Sequence, residues 1–336
     1  MTPYKRKEVI GNATLYEGDA LAVLSDLPDQ SVQCCVTSPP YWGLRSYIAD
    51  GDPLKPLEQG SEPTPAEYVE KMVAVFREVK RVLRDDGTLW LNLGSSYASS
   101  GMGGNPDESE FRKQATNAGS LIPGRSAPHG FKPKDMVPIP WMVAMALQAD
   151  GWYLRQDIIW AKPNPMPEPV RDRCTKSHEY LFLLAKSEKY YFDADAIREA
   201  FADDRMGNPG DYAKTSAFDR GVNNDRKDGG FIGNGGGWNS GGETTGRNKR
   251  SVWTVTPKPF KGAHFATFPP KLIEPCILAG CPAGGVVLDC FNGSGTTGLV
   301  ALQHGRQYVG IELNPEYLGL TMPRIENAQK QERMFA

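Results

Sequence analysis

Two short stretches carry side chains that could act on a bound molecule. Residues 37 to 42 read Thr-Ser-Pro-Pro-Tyr-Trp, and residues 289 to 298 read Asp-Cys-Phe-Asn-Gly-Ser-Gly-Thr-Thr-Gly. In the first, Pro39 and Pro40 fix φ and remove two N–H donors, leaving carbonyl acceptors that face outward. Ser38 adds a hydroxyl, and Tyr41 and Trp42 add faces on which a planar ring could stack. Such a turn suits a flat group bearing an NH2. Two acceptors would hold the amine's protons, and an aromatic would hold the ring. An exocyclic ring amine is a poor nucleophile because its lone pair is conjugated. Drawing both protons out of the ring plane frees that lone pair, and an electrophile held in line completes the requirement. Taken alone, the stretch also reads as a plain Pro-Pro turn with core aromatics.

The second stretch has the pattern of a nucleotide site. Val286 to Asp289 reads as a strand, and Gly293, Gly295 and Gly298 satisfy G-x-G-x-x-G before a helix start. Glu312 ends the following strand, nineteen residues after Gly293. Glycine lets the backbone approach a ligand, and an acid at that strand tip can take two ribose hydroxyls. The pattern does not choose its cofactor. A dinucleotide needs its pyrophosphate on the helix N-terminus. Asp289 suits an ammonium and sits badly beside a pyrophosphate, which favours S-adenosyl-L-methionine over a nicotinamide dinucleotide.

These residues need a scaffold, and the chain alternates as an α/β sheet does. Val32 to Thr37 is a short apolar run suited to a buried strand. Thr64-Pro65-Ala66-Glu67 is a capping box with proline at the first helical position, and Val69, Met72, Val73, Phe76, Val79, Val82 and Leu83 continue at helical spacing. Asp85-Asp86-Gly87 is expected to stop that helix, with Thr88 to Leu93 as the next strand. A helix over 141–149, strands near 153–162 and 180–186, a helix over 296–304 and a strand over 308–312 follow. Residues 95–135 are rich in Gly, Ser, Asn and Pro and read as a long flexible loop. Residues 229–242 hold 8 glycines in 14 positions.

Composition narrows the classes. The chain has 336 residues, 40% of them hydrophobic, and a formal net charge of −2. That excludes wholesale disorder and gives no global signature of a nucleic-acid binder. Six cysteines form no CxxC pair, and the histidines and acids make no metal cluster, so reduced thiols and no metal are expected. No apolar run reaches membrane-spanning length and the N-terminus has no apolar h-region, so a soluble, cytoplasmic protein is expected. Charge is local instead. From Thr244 to Ile273 there are six Lys/Arg and no acid; Arg247, Lys249, Arg250, Lys258 and Lys261, with Trp253 among them, fit contacts to nucleic-acid phosphates.

Together the two stretches resemble the β-class DNA amino-methyltransferases, in which the catalytic motif precedes the cofactor motif. The resemblance covers most of the chain, adding Leu15 to Leu21, Lys176 to Tyr180, His264 to Leu272 and Gly310 to Asn314 in the family's order. It implies an α/β, Rossmann-like methyltransferase fold, circularly permuted, with a mostly parallel seven-stranded sheet and one antiparallel strand. It further implies one domain over 1–336: a catalytic half 1–194, a target-recognition insertion 195–262 and a cofactor half 263–336. The cofactor implied is S-adenosyl-L-methionine. Asp19 would lie near its adenine, Glu312 at its ribose, and Asp289 with the Gly293–Gly298 turn at its methionine end. Thr37, Phe268, Phe291, Thr296 and Thr297 belong to the same site.

The resemblance implies double-stranded DNA as substrate, base flipping, and a prokaryotic or phage source with a cognate restriction endonuclease as a partner. Members with Ser-Pro-Pro-Tyr mostly methylate N4 of cytosine and those with Asp-Pro-Pro-Tyr mostly N6 of adenine. N4 of cytosine is therefore expected, with N6 of adenine as the alternative. Cytosine C5 is disfavoured because Cys34 and Cys35 lack the Pro-Cys context. Two positions depart from the family: Cys290 replaces its usual proline, and Ser95 stands where relatives carry an acid after the strand. A nicotinamide-dependent dehydrogenase and a non-catalytic DNA-binding relative are the readings from other classes.

Overall fold

The computed structural model describes residues 4–44, 46–98, 130–168, 170–200, 246–257 and 268–335. The chain divides into two compact units, Met1–Asp193 with Arg250–Ala336, and Ala194–Lys249. In the second unit the described residues form a 3₁₀ turn at Asp195–Ile197 and an antiparallel bridge between Glu199 and Arg247.

The first unit is built on a nine-stranded sheet. In chain order its elements are β1 (Arg6–Ile10), β2 (Ala13–Glu17), α1 (Ala20–Asp26), β3 (Val32–Thr37), α2 (Pro65–Val82), β4 (Leu83–Leu93), β5 (Ser96–Tyr97), β6 (Met136–Val137), α3 (Ile139–Ala149), β7 (Tyr153–Ala161), β8 (His178–Ala185), β9 (Val252–Thr254), α4 (Pro270–Gly280), β10 (Val286–Asp289), α5 (Thr296–Gln303), β11 (Gln307–Glu312) and α6 (Pro315–Phe335). The spatial order is β1-β2-β11-β10-β3-β4-β8-β7-β9. The inner seven strands, β2 to β7 in that order, are parallel except for β8, which runs against both neighbours. The two strands beyond the expected seven are edge additions: β1 folds back antiparallel on β2, and three-residue β9 pairs parallel with β7.

Local chemistry explains the elements that frame the site. Thr64 caps α2, its Oγ1 accepting from Glu67 N at 3.2 Å, and Pro65 needs no N–H partner in the first turn. Tyr68, Met72, Val75, Phe76, Val79 and Val82 form the buried stripe of that helix. The helix ends one residue before its apolar pattern does. Leu83 is already extended and pairs with Val32, so Asp85-Asp86-Gly87 lies inside β4 at a register shift rather than ending a helix. The expected long loop begins with order too, since Ser96–Tyr97 pairs with Met136–Val137; residues 99–129 lie outside the described ones.

Helices cover both sheet faces. Cys35 packs in the cluster with α1 and α2, whereas a Cβ on Gly280 of α4 would touch the Cys34 sulfur at 3.1 Å. Successive strand residues face opposite ways, so α4 lies across the sheet from α1 and α2. Both faces being covered, the central strands are apolar throughout, as parallel sheets require. All the parallel strands end at one edge of the sheet, and β8, running backwards, begins there.

Candidate active site

Thr37, Asp289 and Glu312 end β3, β10 and β11 side by side, so two segments about 250 residues apart in sequence meet at that edge. A cavity of about 880 Å³ opens there. Ser38, Pro39, Pro40 and Tyr41 line it together with Asp19, Phe268, Asp289, Phe291, Gly293, Thr296 and Glu312. Thr37, Gly295 and Thr297 do not; they act behind the lining.

Asp289 is fully enclosed. Its Oδ1 accepts from Thr37 Oγ1 at 2.6 Å and Phe291 N at 3.0 Å, and its Oδ2 accepts from Thr297 Oγ1 at 2.7 Å. Burial nevertheless pushes its carboxyl up to about 6, outweighing those three donors. Glu312 accepts from Gly293 N at 2.6 Å and Asn314 N at 2.9 Å. Burial raises it to about 7, the two backbone donors pulling the other way. A carboxylate has about four acceptor sites, so each acid keeps capacity for a ligand donor. Asp19 caps α1, its Oδ1 accepting from Ala22 N at 2.9 Å.

The three motif glycines do different jobs. Gly293 lines the cavity. Gly295 has φ +75°, and a Cβ there would stand 2.5 Å from Thr321 of α6. At Gly298 a Cβ would stand 2.5 Å from the Tyr308 ring, so this glycine seats α5 against β11. The turn between them is tied down by Asn292, whose Nδ2 donates to Thr321 Oγ1 at 2.9 Å, and by Arg324, which donates to Ser294 O and to Ser294 Oγ.

The Ser-Pro-Pro-Tyr turn is equally braced. Pro40 O accepts from Tyr68 Oη of α2 at 2.9 Å, while no donor among the described residues reaches Pro39 O. The Tyr41 ring lies over Gly94, where a Cβ would sit 2.6 Å from Cε2. Its hydroxyl meets Glu179 Oε2 at 2.7 Å and Asn92 Oδ1 at 2.9 Å. Ser38 Oγ stands 3.5 Å from both the Tyr41 hydroxyl and Asn92 Oδ1. Burial raises the Tyr41 phenol well above its usual range, with the Glu179 carboxylate adding to the effect. Trp42 is core instead: it is buried, and its Nε1 donates to Glu62 O at 3.0 Å.

The basic segment is less uniform than its composition suggests. Trp253, expected beside DNA, is only 5% exposed; its indole donates to Arg250 O at 2.6 Å, and its strand pairs with β7. That ring is not offered to a duplex. In the second unit Arg247 and Lys249 lie 3.4 and 3.8 Å from Glu199, which offsets part of their charge. Arg250 is exposed, and Lys258 and Lys261 lie outside the described residues.

Several site residues carry no strong signal in the sequence. Asn92 is the one polar side chain within Leu89 to Leu93 and could have been noticed as a polar residue on a buried strand; Glu179, second on the apolar strand β8, falls in the stretch Lys176 to Tyr180 of the family resemblance, which implies no site role for it. Gln59 was hidden in a loop. It is 9% exposed, it lines the cavity, and its Oε1 has no hydrogen-bond partner among the described residues.

The residues fit S-adenosyl-L-methionine. The cavity is large enough for it. The two enclosed acids and the orphaned Gln59 acceptor suit a cationic ligand rich in N–H and O–H donors, and Phe268 and Phe291 add apolar surface. Asp289, beside the glycine turn, would repel the pyrophosphate of a dinucleotide.

Comparison with known proteins agrees. The DNA methylase family model for N6 and N4 methylases matches residues 32–322. The type II methyltransferase M.Cfr9I of Citrobacter freundii is 48% identical over 318 residues, covering 94% of this chain and 89% of the relative. M.SmaI of Serratia marcescens is 44% identical over 308 residues, covering 92% and 89%. Among solved structures, the cytosine-N4-specific PvuII DNA methyltransferase superposes with a TM-score of 0.61 at 18% identity, over 98% of this chain and 95% of that one. A Thermus thermophilus protein solved with S-adenosyl-L-methionine gives a TM-score of 0.54 at 23% identity, over 94% and 93%. These two likenesses speak for the fold, and the sequence matches speak for the family. The chain belongs to the N6/N4 DNA methylase family, as a type II DNA methyltransferase that uses S-adenosyl-L-methionine.

Proposed function

We propose that this enzyme methylates N4 of cytosine in double-stranded DNA and serves as the modification partner of a restriction endonuclease. The observation that carries the choice of base is Ser38 at the head of the Pro-Pro turn. A serine hydroxyl can accept from the exocyclic amine and can also donate to the cytosine ring N3, whereas an aspartate could only accept. The cytosine-N4-specific PvuII enzyme shares the fold and supports the same reading.

Bound S-adenosyl-L-methionine supplies an electrophilic methyl group. Every other part of the reaction falls to the protein. A paired amine cannot reach the cavity, so the base must leave the duplex to enter it. The free Pro39 carbonyl and Ser38 Oγ then take the two amine protons out of the ring plane and turn the lone pair toward the methyl carbon. The Tyr41 ring, seated on Gly94, faces the base. Asp289, held by Thr37 and Thr297, takes the cofactor's ammonium end, and Glu312 takes the ribose hydroxyls. Asp19 lies on the adenine side. Residues 195–262, with Arg247, Lys249, Arg250, Lys258 and Lys261, supply target recognition and phosphate contacts.

Incubating the protein with S-adenosyl-L-methionine and DNA of mixed sequence, then digesting to nucleosides for mass spectrometry, tests this directly. N4-methyldeoxycytidine is the expected product. N6-methyldeoxyadenosine would replace the choice of base, and no methylated nucleoside would overturn the activity.

A further inference from the structure

We propose that Glu179 receives the proton shed by the target amine, relayed through Ser38 and Tyr41. This rests on the methyl-transfer reading of the same cavity and asks what that reading leaves open: where the proton goes. Once methylated, an exocyclic ring amine is a strong acid and must lose a proton within the enclosed site. Ser38 can accept it only while passing on its own. Its oxygen neighbours are the Tyr41 hydroxyl and Asn92 Oδ1, each at 3.5 Å. Asn92 is an amide and takes no net proton. Its Nδ2 donates to Tyr180 O at 3.0 Å, which turns Oδ1 toward the two hydroxyls as a fixed acceptor. Tyr41 has one hydroxyl proton and two acceptors, at 2.7 Å on Glu179 and 2.9 Å on Asn92. Glu179 is the member of this chain of contacts that can hold an added proton.

The topology brings it there. β8 runs against its neighbours, so its second residue stands at the edge where β3 and β4 end. Ser95, just after β4, offers no carboxylate. Facing Glu179 are Tyr41 from the turn after β3, Lys162 from the end of β7, which pairs with Glu179 Oε1, and Lys176 from the segment leading into β8. His178 precedes it on β8. Lys176 is held below its usual range mainly by burial.

The step balances. A carbon–nitrogen bond forms as the carbon–sulfur bond breaks, and one N–H bond of the amine breaks. That proton passes to Ser38 Oγ as the serine's own proton, swung from the ring N3 toward Tyr41, passes to Tyr41 Oη, and the tyrosine's to Glu179 Oε2. Both hydroxyls end restored, and the carboxylate ends as a carboxylic acid. The sulfur loses its positive charge in the same event, so the total charge of the cavity is unchanged. The two 3.5 Å links are long for hydrogen bonds and must tighten when the base is bound.

The test is single-turnover transfer of labelled methyl to duplex DNA, with saturating cofactor, at one pH. Glu179→Gln keeps an acceptor for Tyr41 but cannot take a proton. It should slow transfer about 100-fold and leave S-adenosyl-L-methionine affinity unchanged. Glu179→Asp, which keeps a carboxylate, should recover at least tenfold of that loss. A Glu179→Gln rate within threefold of wild type overturns the proposal. So does a Glu179→Asp rate no faster than that of Glu179→Gln, which would leave Glu179 a positioning residue for Tyr41. Should Glu179→Gln fail to fold, a Tyr41→Phe rate within threefold of wild type overturns it equally, because that change cuts the relay and keeps the ring. Wild-type protein that methylates no base would bring down the underlying reading as well, and that result is separately recognisable.

Discussion

Glu312 offers a quantitative handle on cofactor binding. Burial lifts its carboxyl to about 7 against an ordinary 4.5, and Asp289 titrates next, at about 6. If both acids bind the cofactor ionised, wild-type affinity for S-adenosyl-L-methionine should fall about tenfold per pH unit below about 7, and more steeply below about 6. Glu312→Gln removes the first titration and leaves the second, so the onset of the fall should move down by about one unit. At pH 8 the variant keeps one acceptor oxygen where the acid had two. A hydrogen bond to a charged group is worth about 1.5–3 kcal/mol, so affinity should drop roughly 10- to 100-fold.

Stability should move in the opposite sense. An acid whose folded-state pKa is raised penalises the folded state when ionised. The penalty is complete above about pH 7 and gone below the ordinary 4.5, so the ligand-free protein gains roughly 3 kcal/mol from this group on acidification. Ligand-free Glu312→Gln should lack that gain. Isothermal titration calorimetry from about pH 5.5 to 8, with urea melts of both proteins, measures the two effects. An unchanged onset of the affinity loss in Glu312→Gln would refute the reasoning.

Three other outcomes are expected. If the Ser38 hydroxyl contacts the base as proposed, Ser38→Ala should slow single-turnover transfer by at least tenfold and leave cofactor affinity within about twofold; equal losses in both would sink that division of roles. Gly94→Ala places a Cβ 2.6 Å from Tyr41 Cε2, so it should displace the ring, cost about 1–3 kcal/mol in a urea melt and slow transfer without weakening the cofactor. Gly280→Ala puts a Cβ 2.5 Å from Trp90 Nε1, between α4 and β4 and away from the cavity. It should lower the urea midpoint by a similar energy and leave the transfer rate of the folded protein within twofold.

Motifs whose physics is local were legible without coordinates. The Thr64 cap, the Pro-Pro turn after an apolar strand and the glycine turn between Asp289 and Gly298 each announce their geometry through neighbours in sequence. The helices over 141–149 and 296–304 fall within two residues of their observed bounds because their apolar spacing is regular. What stayed hidden depends on pairing across the sheet. Asn92 and Glu179 meet Tyr41 only because β4 and β8 are antiparallel neighbours, and a strand's direction leaves no mark on its composition. Leu83 continues a helical pattern yet begins a strand, since its pairing with Val32 outweighs its spacing. Trp253 looked like a surface ring among lysines and arginines; β9 is three residues long, too short for alternation to reveal which side chain points inward.

The place of β10 in the sheet has a consequence for how the enzyme comes into being. This strand separates β3 from β11, so the middle of the sheet is filled by a segment 252 positions downstream of the residue it touches at Thr37. A chain emerging from the ribosome carries its Ser-Pro-Pro-Tyr turn early, beside a strand edge that has no partner yet, and such edges invite wrong pairings until they are covered. Contacts this distant in sequence also slow folding. Premature termination anywhere before β11 therefore leaves no weakened enzyme, only a half-sheet with a turn and nothing to present to it. Methylation by this protein thus waits until β10 and β11 have both been made.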